Sequence, residues 1–182
     1  KLGREKFGGE THAYSVAYAD DEISEVLANS DKIIFNSISQ LQRFNDASAN
    51  HVRGLRINPG LSTSEFALAD PARPHSRLGE HDPAKIEAVL DQVSGFMLHN
   101  NCENDSFERF DEILSTIETK FGHLFHRVEG ISLGGGIHFT GDGYPLDAFC
   151  QRLKQFADTY GVQVYLEPGE AAITNSTSLE VT

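Results

Sequence analysis

The amino-acid sequence predicts an α/β fold built on a parallel sheet. Two observations carry this expectation. Short apolar runs alternate with helical stripes along the whole chain, and the last two runs each open into a glycine-containing signature, LGGGIHFT at 133–140 and EPGEA at 167–171. Strict alternation of strand and helix builds a parallel sheet, either a barrel or a doubly wound one.

The apolar runs lie at about 13–18, 32–36, 51–57, 95–99, 128–133 and 162–167. Between the first two, Asp20-Asp21 opens a helical segment carrying Ile23, Val26 and Leu27. Ser37 with Gln40 caps a short one carrying Ile38, Leu41 and Phe44. Asp82-Pro83, a cap and first-turn pair, precedes Ile86, Val89, Leu90 and Val93 at helical spacing. Asp105 with Glu108 reads as a capping box ahead of Phe107, Phe110, Ile113, Leu114, Ile117 and Phe121. Leu146, Phe149, Cys150, Leu153, Phe156 and Tyr160 form the last stripe, stopped by Gly161, and this stripe places Cys150 in the core.

Six strand–helix steps are too few to close an eight-stranded barrel. The opening residues read as the tail of an interrupted unit and the final SLEVT as a strand cut short, so the chain is expected to be a piece of a larger protein. The longest irregular stretch, roughly 58–82, contains Pro59, Pro71 and Pro74, and loops of that length are usually functional or mobile.

Bulk properties narrow the function classes. At 182 residues one domain with one core is expected. Fifteen Lys and Arg against 27 Asp and Glu leave a formal charge of −12, which argues against a nucleic-acid partner. The same charge suits a cationic ligand, and equally the ordinary solubility of an acidic protein. Cys102 and Cys150 do not make a disulfide framework, so a reducing, cytoplasmic setting is expected. No apolar stretch reaches membrane-span length, and the start KLGREKFGGE lacks the apolar core of a signal peptide.

The signatures carry the chemistry. Gly134, Gly135 and Gly136 let a backbone come close to a ligand, because no Cβ intervenes. In (β/α)8 barrels the loops after the seventh and eighth strands are the usual phosphate cradle. Glu-Pro-Gly at the next strand end puts the carboxylate of Glu167 beside that opening, and a phosphate grip next to a fixed acid suits pyridoxal phosphate. Other readings stay open at this point: a tight turn for the glycines, a helix cap or ion pair for Glu167, structural roles for His99, His138 and Arg56. A metal site from His99, Glu103, His138 and Glu167 is conceivable, but no HxH or HExxH spacing supports it.

Five ordered signatures, RINP at 56–59, SRLGE at 76–80, LHNNCE at 98–103, LGGGIHFT and EPGEA, together resemble the alanine-racemase-like pyridoxal-phosphate decarboxylases. That family includes the ornithine, arginine and diaminopimelate enzymes. GGGIHFT, LHNNCE and an acid after Glu-Pro-Gly look most like its carboxynorspermidine (carboxyspermidine) decarboxylase branch. The resemblance implies a partial (β/α)8 barrel over residues 1–182, lacking the first strands and the C-terminal β-domain. It implies pyridoxal 5'-phosphate as cofactor, a small polyamine substrate, and a homodimer at full length. Position by position, His99 would stack on the cofactor ring, and Gly134, Gly135, Gly136 and Gly169 would lie at its phosphate side. Glu167 would pair with the pyridine nitrogen, and Arg56 would lie near the phenolic side. Relatives carry arginine where this chain has Glu170, which would instead face a substrate amine. The family's cofactor-bearing lysine is expected upstream: Lys32 is read as preceding its strand, Lys85, Lys120 and Lys154 as helical, and Lys1 and Lys6 as part of the opening segment. The chain alone is therefore not expected to complete catalysis. The alternatives are a non-catalytic pyridoxal-phosphate-binding barrel protein and a related diaminopimelate- or ornithine-type decarboxylase.

Overall fold

The computed structural model describes residues 1–169 and Ile173. Six strands, β1 (His12–Ser15), β2 (Lys32–Phe35), β3 (Val52–Arg56), β4 (Gly95–Met97), β5 (Gly130–Ser132) and β6 (Gln163–Tyr165), pair in sequence order and all in parallel. Each falls on one of the apolar runs. Helices α1 (Leu2–Lys6), α2 (Ile23–Ala28), α3 (Ile38–Arg43), α4 (Pro83–Glu87), α5 (Phe107–Phe125) and α6 (Leu146–Tyr160) alternate with them.

The strand order never reverses, which excludes a doubly wound sheet. The sheet is also strongly curled. Lys32 on β2 donates through Nζ to the hydroxyl of Tyr165 on β6 at 2.7 Å, and the His12 ring of β1 lies 5.1 Å from the Tyr165 ring. In a flat sheet β1 and β6 would stand about 24 Å apart, at roughly 4.8 Å per strand. The six strands therefore form an open, partial (β/α) barrel with a lumen between its edges.

Helices cover the outer face. Phe35, Leu55, Phe96 and Ile131 point outward from the strands and are buried beneath them. Phe110, Leu114, Ile117, Phe121 and Phe125 form the buried stripe of α5, while Phe149 and Phe156 anchor α6. The two helices lock through rings, with Phe110 and Phe149 5.0 Å apart, and Arg152 of α6 reaches Asp111 and Glu118 of α5. Each such ring or leucine removed from water contributes about 1.5–3 kcal/mol.

Local details correct several sequence expectations. Ser37 caps α3 as expected, accepting from the Gln40 N–H at 3.3 Å, and Asp82 caps α4. The cap of α5 is Ser106 rather than Asp105: its hydroxyl oxygen accepts from the Arg109 N–H at 3.2 Å, and Glu108 engages that same hydroxyl instead of a backbone N–H. Helix α2 starts at Ile23, after the Asp20-Asp21 pair, with the Asp20 carboxylate bound to Arg43. The helix expected through Val93 stops at Glu87, and Leu90–Gln92 form a separate 3-10 turn. Cys150 is exposed, not core, because the buried arc of α6 passes through Phe149 and Phe156 and leaves it outside. Lys32 opens β2 instead of preceding it, and its amine is spent inside the lumen on Glu10 (2.7 Å) and Tyr165. The final SLEVT lies outside the described residues.

Two further features position the site. The stretch 58–82 is tied down over the strand ends: Asn58 donates to the carbonyls of Pro71 (2.8 Å) and Leu78 (2.6 Å), and Ile57 bridges Glu80 in parallel. In the lumen, Gly54, Gly95 and Gly130 stand in register on three neighbouring strands. They floor a cavity of about 300 Å³ also lined by Lys32, Ile34 and Tyr165. A Cβ on Gly95 would sit 2.6 Å from the Gly130 carbonyl oxygen, and one on Gly130 would sit 2.9 Å from the Tyr165 ring.

Gly95→Ala should therefore lower stability by about 1–3 kcal/mol through overpacking, read as a reduced urea midpoint. Gly169→Ala, with no atom of the described residues within 4 Å of the new methyl, should leave it unchanged. Equal midpoints for wild type and Gly95→Ala would refute the close strand approach.

Candidate active site at the barrel mouth

A parallel sheet delivers all its strand ends to one side, so residues just past those ends converge. Arg56 is the last residue of β3, and His99, Gly134 and Glu167 each lie two residues past the ends of β4, β5 and β6. Tyr14, Arg56, Met97, His99, Cys102 and Glu167 line a single pocket of about 330 Å³ at this mouth. The structure thus brings together three of the residues singled out in the sequence, Arg56, His99 and Glu167, and adds Cys102 and Tyr14 to them.

The glycine run is the joint of the site. A Cβ on Gly135 would fall 2.3 Å from the Glu167 carbonyl oxygen, and one on Gly134 would fall 2.6 Å from the Leu98 oxygen and 2.8 Å from His99 Nδ1. One on Gly136 would meet the Asn101 oxygen at 2.4 Å, and Gly134 and Gly136 also adopt positive φ, of 71° and 77°. Only glycine fits, because the loops after β4 and β6 press against it from both sides. Backbone bonds close the joint: Glu167 N–H donates to the Gly134 oxygen at 2.8 Å, and Asn104 N–H to the Gly136 oxygen at 2.9 Å.

The glycine N–H groups are unequally placed to receive an anion. That of Gly134 is taken by Ser132 Oγ at 3.1 Å, and that of Gly135 makes a long 3.4 Å bond to His99 Nδ1. The Gly136 N–H donates to nothing among the described residues.

Side chains at the mouth are held in specific states. Ser132, at the end of β5, donates to Glu167 Oε1 at 2.5 Å and leaves Oε2 available. Sequence reasoning missed Ser132; its inward position at a strand end beside the glycines was the available signal. His99 accepts the Gly135 N–H at Nδ1, which puts its proton on Nε2. Burial, and then the nearby Arg56 charge, push its pKa down, with Glu167 acting weakly the other way, so the ring is neutral at pH 7. Arg56 is buried, only 4% exposed, yet forms no ion pair among the described residues. Its guanidinium donates to Tyr14 Oη and, at 3.1 Å, to the His99 carbonyl. Gly169 is exposed beside the mouth, and Glu170 lies outside the described residues.

No lysine reaches the mouth. Lys32 stays charged in the lumen: burial opposes its charge, but the bonds to Glu10 and Tyr165 raise its pKa overall. Lys85, Lys120 and Lys154 are on α4, α5 and α6, Lys6 closes α1, and Lys1 precedes α1. Among the described residues no three His, Cys, Asp or Glu side chains gather as a metal site, so His99, Glu103, His138 and Glu167 do not form one there. No described helix is long and apolar enough to cross a membrane.

Comparison with known proteins places this geometry in a family context. No family model matches the chain. All of the chain aligns, at 63% identity over 181 residues, with half of a carboxynorspermidine/carboxyspermidine decarboxylase of Herminiimonas arsenicoxydans. At 32% identity, 94% of it aligns with 45% of a carboxyaminopropylagmatine decarboxylase of Synechocystis. The crystal structure of carboxynorspermidine decarboxylase from Campylobacter jejuni, complexed with norspermidine, superposes with a TM-score of 0.80 at 36% identity, covering 92% of this chain and 43% of that one. The chain spans about half the length of the curated relatives it matches. Its resemblance to the carboxynorspermidine/carboxyspermidine decarboxylases, and its fold as part of their alanine-racemase-like barrel, are thereby borne out.

The state of His99 yields a pH prediction. A histidine whose folded pKa is depressed binds fewer protons folded than unfolded between its folded value and the ordinary value of about 6.5. Its contribution to stability is complete above about 6.5 and is lost as pH falls toward the folded value. The imidazole resonances of His99 should titrate below those of an ordinary histidine, and His99→Phe should flatten the acid side of the stability profile. An ordinary midpoint for His99 would contradict the burial and the Arg56 contact.

Proposed function

We propose that the protein to which this chain belongs is a pyridoxal-phosphate-dependent decarboxylase of carboxynorspermidine or carboxyspermidine, and that residues 1–182 are the central and C-terminal part of its cofactor-binding barrel. The observation that carries the reading is the convergence of Arg56, His99, the glycine run and Glu167 at one mouth. The 63% identity over the whole chain supports the substrate class. The full-length protein is proposed to act as a cytoplasmic homodimer, with the residues outside this chain completing the site. The 182-residue chain by itself is proposed to be inactive.

The residues present fit the cofactor. Gly136 offers an N–H with no partner among the described residues, and Gly135 one held only by a 3.4 Å bond, so these two suit the phosphate best, with Gly134 and Gly169 at its edge. Arg56 brings a buried charge without a counter-ion among the described residues, which suits an anionic phenolic oxygen. Glu167 would turn Oε2 to the pyridine nitrogen, since Ser132 holds its other oxygen. Its carboxylate would keep a proton on that nitrogen. Pyridoxal phosphate supplies, when bound, a ring into which the electron pair left by departing carbon dioxide can spread. Neutral His99 brings a flat face to the ring without adding a second cation beside Arg56. Glu170 is proposed to meet a protonated amine of the substrate, since an acid there cannot grip phosphate.

In the full-length enzyme, carbon dioxide should be released from carboxynorspermidine or carboxyspermidine. Glu167→Ala should cut turnover by about two to three orders of magnitude while leaving bound cofactor near wild type. Release only from diaminopimelate or ornithine would move the protein to the related amino-acid decarboxylases. Wild-type turnover in Glu167→Ala would remove that residue from the mechanism.

A further inference from the structure

We propose that Tyr14 and Asn36 are positioning residues for Arg56, forming a hydrogen-bonded relay that fixes its guanidinium from the backbone of the 58–82 stretch. The proposal rests on the reading of the mouth as the pyridoxal-phosphate site and extends it to the residues that hold Arg56.

The direction of every bond in the relay follows from its far end. Asn36 is buried, at the end of β2, and its Nδ2 donates to the Arg77 carbonyl at 2.8 Å. Its Oδ1 accepts the Gly79 N–H at 3.2 Å. These two backbone partners leave only one orientation of the amide, since swapping its ends would set donor against donor and acceptor against acceptor. Asn36 Oδ1 therefore faces Tyr14, whose hydroxyl must donate to it, at 3.1 Å. With its one proton committed there, Tyr14 Oη turns a lone pair to Arg56 Nη1. The second arm of the guanidinium, Nη2, donates to the His99 carbonyl at 3.1 Å. One chain of bonds thus joins the ends of β1, β2, β3 and β4 to the returning stretch at Arg77–Gly79.

Gly79 is packed onto the same side chain: a Cβ there would sit 3.1 Å from Arg56 Cγ, and Glu80 N–H donates to the Arg56 carbonyl at 3.0 Å. The guanidinium meets only neutral acceptors in this frame, so the relay sets its direction without cancelling its charge. Removing the Tyr14 hydroxyl leaves a buried N–H of Arg56 unsatisfied, and a flexible side chain relieves that by turning away. The Tyr14 ring, whose centroid is 5.4 Å from the guanidinium carbon, survives in a phenylalanine.

The test is a double-mutant cycle in the full-length protein, reading the dissociation constant for pyridoxal phosphate by titrating the apoprotein, with turnover measured alongside. Tyr14→Phe and Arg56→Met should each weaken cofactor binding about tenfold, and the double variant should bind no more weakly than Arg56→Met alone. Asn36→Asp keeps an acceptor for Tyr14, with its other oxygen protonated toward the Arg77 carbonyl, and should bind the cofactor better than Asn36→Leu; equal binding in these two would overturn the relay. This pair also reads the relay if Tyr14→Phe does not fold. Unchanged binding in Tyr14→Phe, or losses that multiply in the double variant, would overturn the relay alone. Wild-type full-length protein that binds no pyridoxal phosphate would overturn the site reading and the relay together.

Discussion

The closeness of the backbone after β5 to its two neighbours is the constraint on which the mouth depends. Three consecutive glycines let the loops after β4 and β6 approach to distances at which any side chain on Gly135 would overlap the Glu167 carbonyl. That approach makes the Glu167-to-Gly134 and Asn104-to-Gly136 backbone bonds possible. It also sets His99 and Glu167 on either side of the same short segment. A methyl group would separate the chemistry, not merely strain a turn: on Gly134 or Gly136 it would push back the segment after β4, and on Gly135 the one after β6.

Charge is distributed over this frame with little cancellation. Arg56 is buried against a phenol and a carbonyl, exposed Glu167 is held by a hydroxyl, and His99 is kept neutral by burial. Among the described residues the cation and the carboxylate are not paired with each other, and neither is quenched locally. A buried charge such as that of Arg56, without a counter-ion among the described residues, is costly, and such an arrangement is sensible where a ligand of mixed charge completes it. The lumen below follows the opposite logic. Lys32 is fully engaged by Glu10 and Tyr165, so its charge is structural.

The fold was legible because period is a property of residue order: apolar runs of strand length separated by stripes at helical spacing give the six strands directly. Helix starts were less legible. Asp105 and Ser106 are both good caps, and only the orientation of the first turn selects Ser106. Cys150 shows that membership of an apolar stripe does not decide burial at its margin. At the site, His99, Glu167 and Arg56 were readable from signatures that sit at strand ends. Ser132, Tyr14 and Asn36 were not, because their roles come from contacts between strands 22 to 42 residues apart in the chain. Ser132 at least sits beside the glycine signature, whereas an isolated tyrosine or asparagine such as Tyr14 or Asn36 carries no pattern that marks such a partner.

The stretch 58–82 is anchored at its two ends and again at buried Thr63, whose backbone N–H and hydroxyl bond Asn100 and Cys102. Asn58 and the Ile57–Glu80 bridge hold the ends, whereas Phe66 and Leu68 stand exposed in the middle, and Pro71 and Leu78 reach the pocket wall. Change can therefore be absorbed in the exposed part around Phe66 and Leu68: insertions, deletions and replacements there reshape one wall of the mouth without disturbing the strand ends. The opening can thus change its outline through this one segment while Arg56, His99 and Glu167 keep their places.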